Sequence, residues 1–257
     1  MKDVATAVGV GGAVTVIIAA NVLEGGNPAS LFLPAPLILV WGATILVSMA
    51  GGTMADAKGV FTSLKKALTG KAESSADVVP VVVSLADKAR KEGLLALEDS
   101  LKDIDDPFLI KGVTMAIDGT DPEEMRDILE GEVAGKRSAT KHEAKFFSDA
   151  GAYAPTIGII GTVMGLVHVL ENLAQPEELG HLIASAFIAT LWGVLSANVI
   201  WLPIGNRLKR LGELEMARME LTIEGVLAIQ AGANPRIIAQ KLRSLLPAHE
   251  QREAEAA

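Results

Sequence analysis

AGAYAPTIGIIGTVMGLVHVL, residues 150–170, holds 21 positions without Asp, Glu, Lys or Arg, between Asp149 and Glu171. At about 1.5 Å per residue an α-helix of that length covers the roughly 30 Å of a bilayer's hydrocarbon core. Working outward, three more such stretches appear: 20 residues between Asp3 and Glu24, 31 between Glu24 and Asp56, and 28 between Glu178 and Arg207. Half of the 257 residues are hydrophobic, only 21% are charged, and mean hydropathy is +0.37. A soluble chain of this size needs a charged skin that this composition lacks. The reading is an all-α membrane protein with four transmembrane helices, about Val4–Leu23, Phe32–Met54, Ala152–Leu170 and Leu182–Ile204, plus a helical cytoplasmic domain. Disorder and an ordinary soluble fold are excluded.

The basic residues set the orientation. Of 23 Lys and Arg, Lys2 precedes the first span, fourteen lie in 55–149 and eight in 205–257, with none in the hairpin loops 24–32 and 171–181. Lys58, Lys65 and Lys66, Lys141 and Lys145, and Arg207, Lys209 and Arg210 flank span ends, where the excess of basic residues marks the cytoplasmic side. Both termini and the segment 55–149 are expected in the cytoplasm. The start Met-Lys-Asp has a thin positive region and no small-x-small cleavage site before Pro28, so the first span reads as an uncleaved anchor.

Four segments follow: a hairpin of spans one and two (1–54), a cytoplasmic helical domain (55–149), a hairpin of spans three and four (150–205), and C-terminal helices with a tail (206–257). In the second, valine-rich 78–86 reads as helix, with Asp77 as cap and Pro80 in the first turn. Asp105-Asp106-Pro107 ends one helix and starts another. Asp121-Pro122-Glu123-Glu124 carries cap, proline and acidic first turn together. Near the C-terminus, Gly232-Ala-Asn-Pro235 separates an amphipathic helix (206–230) from a short one (236–246), and a tail begins near His249.

Little enzyme chemistry is present. Zero cysteines remove disulfides, thiolate nucleophiles and Cys-type metal sites. The four histidines form no H-x-x-x-H pair. Gly131 and Gly135-Lys136 are mis-spaced for a phosphate-binding loop, and no nucleophile elbow, zincin or dinucleotide fingerprint follows a strand. A net charge of −8 argues against nucleic acid.

The apolar stretches are more informative. Gly161 and Gly165 form a G-x-x-x-G, next to Gly158. Ser185, Ala189, Gly193 and Ala197 recur every four residues. Such a stripe either packs a helix bundle internally or lets a helix of another chain approach. Thr156, Thr162 and Thr190 put hydroxyls at membrane depth. A lone one bonds its own backbone, whereas two on facing helices can line a hydrated ion path. Pro155 and Pro203 lie near the cytoplasmic ends of spans three and four, as helix ends or as kinks. No span contains Asp, Glu, Lys or Arg. A proton or cation path needs an ionisable group near the midplane, so a partner must bring it.

Residues 153–167, YAPTIGIIGTVMGLV, resemble the third-span signature of the MotA/PomA flagellar stator subunits. Residues 178–194, ELGHLIASAFIATLWGV, resemble their fourth, and 89–98, ARKEGLLALE, their cytoplasmic motif. The resemblance implies a homopentamer around two copies of a single-span MotB/PomB partner, which supplies the ion-carrying aspartate. It implies ion-driven rotation against the rotor protein FliG, in the bacterial inner membrane, with no cofactor beyond the transported H+ or Na+. It assigns Pro155 and Pro203 as coupling prolines, Thr162 and Thr190, with Thr156, to the ion path, and Arg90 and Glu98 to rotor contact. It leaves Gly158, Gly161, Gly165, Ala189 and Gly193 for packing with the partner. Threonine at both 162 and 190 resembles sodium-type members, while proton drive is commoner in the family, and both stay open. An ExbB/TolQ-type energiser is the competing reading, opposed by the first hairpin. A membrane-anchored cytoplasmic adaptor is the other.

Overall fold

The structure is a computed structural model that describes residues 5–71, 74–246 and 250–251. The chain is all-helical, 88% helix without strands among the described residues. Its α-helices are α1 (Ala5–Leu23), α2 (Pro34–Leu37), α3 (Ala43–Ala50), α4 (Met54–Thr69), α5 (Val78–Glu92), α6 (Leu97–Ser100), α7 (Pro107–Ile117), α8 (Pro122–Glu171), α9 (Pro176–Leu195), α10 (Leu202–Gln230) and α11 (Pro235–Leu245). Two five- and six-residue π segments, Ile38–Gly42 and Ser196–Trp201, join α2 to α3 and α9 to α10.

Among the described residues three helical runs are long and apolar enough to cross a membrane: Ala5–Leu23, Pro122–Glu171 and Pro176–Gln230. The expected second span is shorter than its 23-residue estimate, an apolar run of Pro34–Ala50. Pro34 occupies a first helical position, where its fixed φ and missing N–H cost nothing, so the run starts there rather than at Phe32. Gly51 and Gly52 end it. The first span begins at Ala5 among the described residues; Val4, Pro247 and the tail from His249 lie outside them except for Glu250 and Gln251.

The described residues fall into two compact units, and α8 and α10 supply residues to both. The first draws on Met1–Lys71 and Thr140–Lys209. Its core is small and aromatic: Ala67, Ala144, Phe147, Ala150, Ala154, Ala197, Trp201, Ile204 and Leu208. Ring contacts run from Phe32 to Trp192, Trp41, Trp201 and Phe146, with centroids 5.3–6.3 Å apart. The half-buried Trp192 also donates its indole N–H to the Leu31 carbonyl at 2.6 Å, which gives that polar edge a partner. No residue of α1 is buried within the chain.

The second unit draws on Ala72–Ala139 and Arg210–Ala257. Valines 78, 79 and 82 with Leu85 of α5, Leu109 and Val113 of α7, Met125 and Leu129 of α8, Val226 and Ile229 of α10, and Ile238 and Leu242 of α11 form one aliphatic core. The 78–86 stretch is helical as expected, but Asp77 makes no side-chain cap bond. Its backbone is already helical (φ −64°, ψ −24°), because Ser74 starts a 3-10 turn first and its hydroxyl accepts from Ala76 N–H. The two other expected helix starts are as the sequence reads. Asp106 accepts from the N–H groups of Phe108 and Leu109, and Asp121 from those of Glu123 and Glu124. Glu224 bonds both Lys241 (2.6 Å) and Arg126 (2.9 Å), and the Lys241 bond, with that of Arg126, holds its carboxyl below the usual range.

Gly131 is an exposed glycine inside α8, and nothing lies within 4 Å of where its Cβ would stand. Gly131→Ala is expected to raise stability by about 0.5–1 kcal/mol, by cutting unfolded-state freedom. A higher thermal midpoint in detergent is the expected result.

Candidate functional site

Thr162 and Thr190 meet. Their hydroxyls hydrogen-bond each other across the α8–α9 crossing. Thr162 Oγ1 also lies 2.9 Å from the Ala186 carbonyl oxygen and 3.2 Å from that of Gly158, and Thr190 Oγ1 lies 3.4 Å from the latter. Two hydroxyls carry two protons, so they cannot donate to every oxygen around them at once. The result is a cluster of two hydroxyl and two carbonyl oxygens, half-buried, with acceptor capacity left over.

Glycine permits this approach. A Cβ on Gly158 would stand 2.8 Å from the Ala189 carbonyl oxygen and 3.2 Å from Gly193 Cα. One on Gly193 would stand 2.6 Å from the Ala154 carbonyl oxygen, and one on Gly165 2.6 Å from Ala186 Cβ. One on Gly161 would meet Ala189 Cβ at 2.6 Å and Leu39 Cδ2 at 2.9 Å. All five small residues assigned to packing with a partner sit at this crossing, so the groove they form is filled by the chain's own α9 and α8. The opposite faces are open: Ile159, Ile160, Val163 and Met164 on α8 and Phe187 and Val194 on α9 are exposed.

Thr156 does not join the cluster. Its hydroxyl donates to the Tyr153 carbonyl at 2.8 Å, within its own helix. Pro155 is inside α8, and a proline there cannot donate to the carbonyl four residues back, that of Gly151. A Cβ on Gly151 would stand 2.5 Å from Leu202 Cδ2, the side chain next to Pro203. The two prolines are thus linked through one contact between the turn that each disturbs. Pro203 itself is the second residue of α10, one residue past the Ser196–Trp201 π segment. There the Ser196 hydroxyl donates to the Gly193 carbonyl (3.3 Å) and the Asn198 amide to that of Val194 (2.9 Å), giving acceptors in the widened turn side-chain donors. π turns recur at functional positions in helices.

Arg90, near the end of α5, and Glu98, in α6, are both exposed in the second unit, and neither makes an ion pair among the described residues. Leu95, between them, is 73% exposed. Gly93, at φ +87°, turns the chain between the two charges, a conformation that favours glycine.

Sequence reasoning named both threonines and missed the Gly158 and Ala186 carbonyls, since a backbone acceptor leaves no side-chain signal. It missed the π segment, although Pro203, a missing donor in an apolar helix, marks the place. No group of three or more His, Asp or Glu suited to a metal ion occurs among the described residues.

Comparisons with known proteins converge. Residues 100–221 match the MotA/TolQ/ExbB proton channel family, and residues 7–93 match the Motility protein A N-terminal family. Motility protein A of Bacillus subtilis is 38% identical over 231 residues, 90% of this chain and 86% of that one. Chemotaxis protein PomA of Vibrio alginolyticus is 34% identical over 244 residues, 95% of each. The flagellar MotAB stator complex of Bacillus subtilis contains a chain that superposes with a TM-score of 0.89 at 36% identity, covering 96% of this chain and 97% of that one.

Proposed function

We propose, from the premise that this chain belongs to the MotA/TolQ/ExbB proton channel family, that it is the ion-path subunit of a bacterial flagellar stator. It works in the inner membrane with a MotB/PomB-type single-span partner. The observation that carries this reading is the oxygen cluster at the α8–α9 crossing. Thr162, Thr190 and the carbonyls of Gly158 and Ala186 converge at a place where the apolar helices hold no Asp, Glu, Lys or Arg.

In this reading the chain has four spans, α1, the Pro34–Ala50 run, the apolar half of α8 and α9 with its π segment, and both termini lie in the cytoplasm. Five copies surround a partner dimer that brings the carboxylate. The hydroxyls and carbonyls replace part of the hydration shell of an ion handed on by that carboxylate. One charge crossing about 150 mV releases about 3.5 kcal/mol. That free energy biases the packed turn between Pro155 and Pro203, and movement there is delivered to the rotor protein FliG through Arg90 and Glu98. The ion is H+ or Na+; a proton needs the carboxylate and water alone, whereas sodium uses all four oxygens.

The test is swimming speed of cells with this chain as their stator subunit, measured across sodium concentrations at fixed pH and then with a protonophore. Speed that follows sodium and survives the protonophore assigns sodium drive. Speed indifferent to sodium and abolished by the protonophore assigns proton drive. Cells lacking the chain that swim normally overturn the stator reading.

A further inference from the structure

The outer face of α4 takes no part in the site above. Its inner face packs through Ser63 and Ala67, with Val60 and Leu64 beside them. Met54, Lys58, Phe61, Lys65 and Leu68 recur at spacings of four and three, which places them in one stripe of a helix. Met54 is 68% and Phe61 80% exposed. Neither Lys58 nor Lys65 forms an ion pair among the described residues. The only acidic residue of α4, Asp56, points elsewhere, since its carboxylate closes the capping box with Thr53.

The direction of α4 follows from its contacts. At its start, a Cβ on Gly51 would stand 3.7 Å from Asp149 Oδ2. Near its end, Lys66 Nζ bonds Glu143 Oε2 at 2.8 Å, and Arg207 donates to the Gly70 carbonyl at 3.3 Å. The chain rises about 20 Å along α4 between Thr53 and Lys66, while α8 rises only about 9 Å between Glu143 and Asp149. So α4 runs across α8 rather than along it. Asp149 and Arg207 are also the charges that bound the apolar stretches of α8 and of α9 with its π segment. Both ends of the helix therefore lie within about two helical turns of the level where apolar surface gives way to charge.

We propose that α4 is an interfacial helix whose outer stripe docks on the anionic lipid headgroups of the cytoplasmic leaflet, with Phe61 entering the acyl boundary and Lys58 and Lys65 on headgroup phosphates. This rests on the reading of the apolar helices as membrane spans with the lysine-rich side in the cytoplasm. An amphipathic helix with aromatic and aliphatic residues between lysines has the composition of such an element. Lysine stems cover apolar surface while their ammonium groups reach the phosphates. A second copy of the chain is the poorer occupant, because protein interface cores are depleted in lysine. Each lysine at an anionic surface is worth about a fivefold preference, so the pair favours anionic over zwitterionic lipid by about 25-fold.

The chain has no cysteine, so one engineered thiol takes a label cleanly. The full-length chain carrying Phe61→Cys with a polarity-sensitive fluorophore is reconstituted in phosphatidylcholine vesicles with or without phosphatidylglycerol. Quenching is measured with shallow nitroxide lipids of either headgroup and with aqueous iodide. Expected are quenching by shallow lipid, protection from iodide, and several-fold stronger quenching by the phosphatidylglycerol probe, a difference lost in the Lys58→Gln/Lys65→Gln background. Iodide quenching without lipid quenching overturns the proposal, as does protection from both, which means a protein cover. Equal quenching by the two lipid probes overturns the anionic preference. A label at Val16→Cys in α1 is the control: if deep nitroxide lipid fails to quench it, the membrane reading itself is wrong, and if it is quenched while position 61 is not, only this inference falls.

Discussion

Gly158→Val is expected to stop swimming while the protein still reaches the membrane. The Cβ it adds would stand 2.8 Å from the Ala189 carbonyl oxygen and 3.1 Å from Thr190 Cα, both backbone atoms that cannot turn aside. Over-filling a packed site of this kind costs about 1–3 kcal/mol. The loss at the site is larger than the packing loss, because the carbonyl of residue 158, which valine keeps, is an acceptor in the oxygen cluster and moves with the displaced backbone. A shift of the crossing by even an ångström separates Thr162 from Thr190 and from the Ala186 carbonyl. Thr190→Ile, which removes one hydroxyl and adds bulk, is expected to give the same phenotype. The measurement is swimming speed alongside membrane abundance by immunoblot. Normal swimming by either variant would remove the α8–α9 crossing from the ion path.

Asp106→Ala is expected to destabilise the second unit by about 3–4 kcal/mol. Asp106 does two things with one carboxylate. Oδ1 accepts from Phe108 and Leu109 at 3.0 and 3.2 Å, capping α7, and Oδ2 pairs with Arg218 at 3.0 Å. Both side chains of the pair are about one-fifth exposed, 20% and 18%, and burial alone pushes the Arg218 guanidinium below its usual pKa. Loss of a cap costs about 1 kcal/mol, and removing the carboxylate from a largely buried pair about 3 kcal/mol. Asp106→Asn keeps the cap and loses the charge, so its cost falls between alanine and wild type. Thermal unfolding of the purified chain reads the difference. Equal stability of all three proteins would show that α7 is held by its apolar face alone.

The α-helical class and the apolar segments are legible because bilayer thickness imposes a length on uncharged helices, and the charges Asp3, Glu24, Asp56, Asp149, Glu171, Glu178 and Arg207 punctuate them plainly. The start of α7 at Asp106-Pro107 and of α8 at Asp121-Pro122 is legible for an equally local reason, since cap and proline act on adjacent backbone. The run starting at Pro34 came out shorter than its uncharged stretch because proline geometry, not hydropathy, sets where a helix begins. At the site, the threonines could be named as side chains of unusual depth. Their meeting could not, because it depends on how far Gly158 and Gly193 let two backbones close. The Gly158 and Ala186 carbonyls are invisible to any reading of side chains. The cap of α5 was misplaced by one turn because Ser74 competes with Asp77, and a sequence does not say which of two nearby cap residues acts first.

The π segment at Ser196–Trp201 bears on which length changes the chain can survive. A turn closed by five residues instead of four contains, in effect, one surplus position. Deleting Asn198 would let the backbone bonds re-form as ordinary α-helix, so breakage is not the consequence. Everything after the deletion would keep its face, because a π turn absorbs its surplus residue by rotating less per residue, and the α form restores that rotation. Trp201, Ile204 and Leu208, which share one core with Phe147 and Ala150, would stay on that surface, and Leu202 would stay against Gly151. The surplus position is thus a local allowance in length: the helix tolerates losing the exposed Asn198 there, whereas the same loss in the regular turns of α10 would rotate every later residue by about 100°.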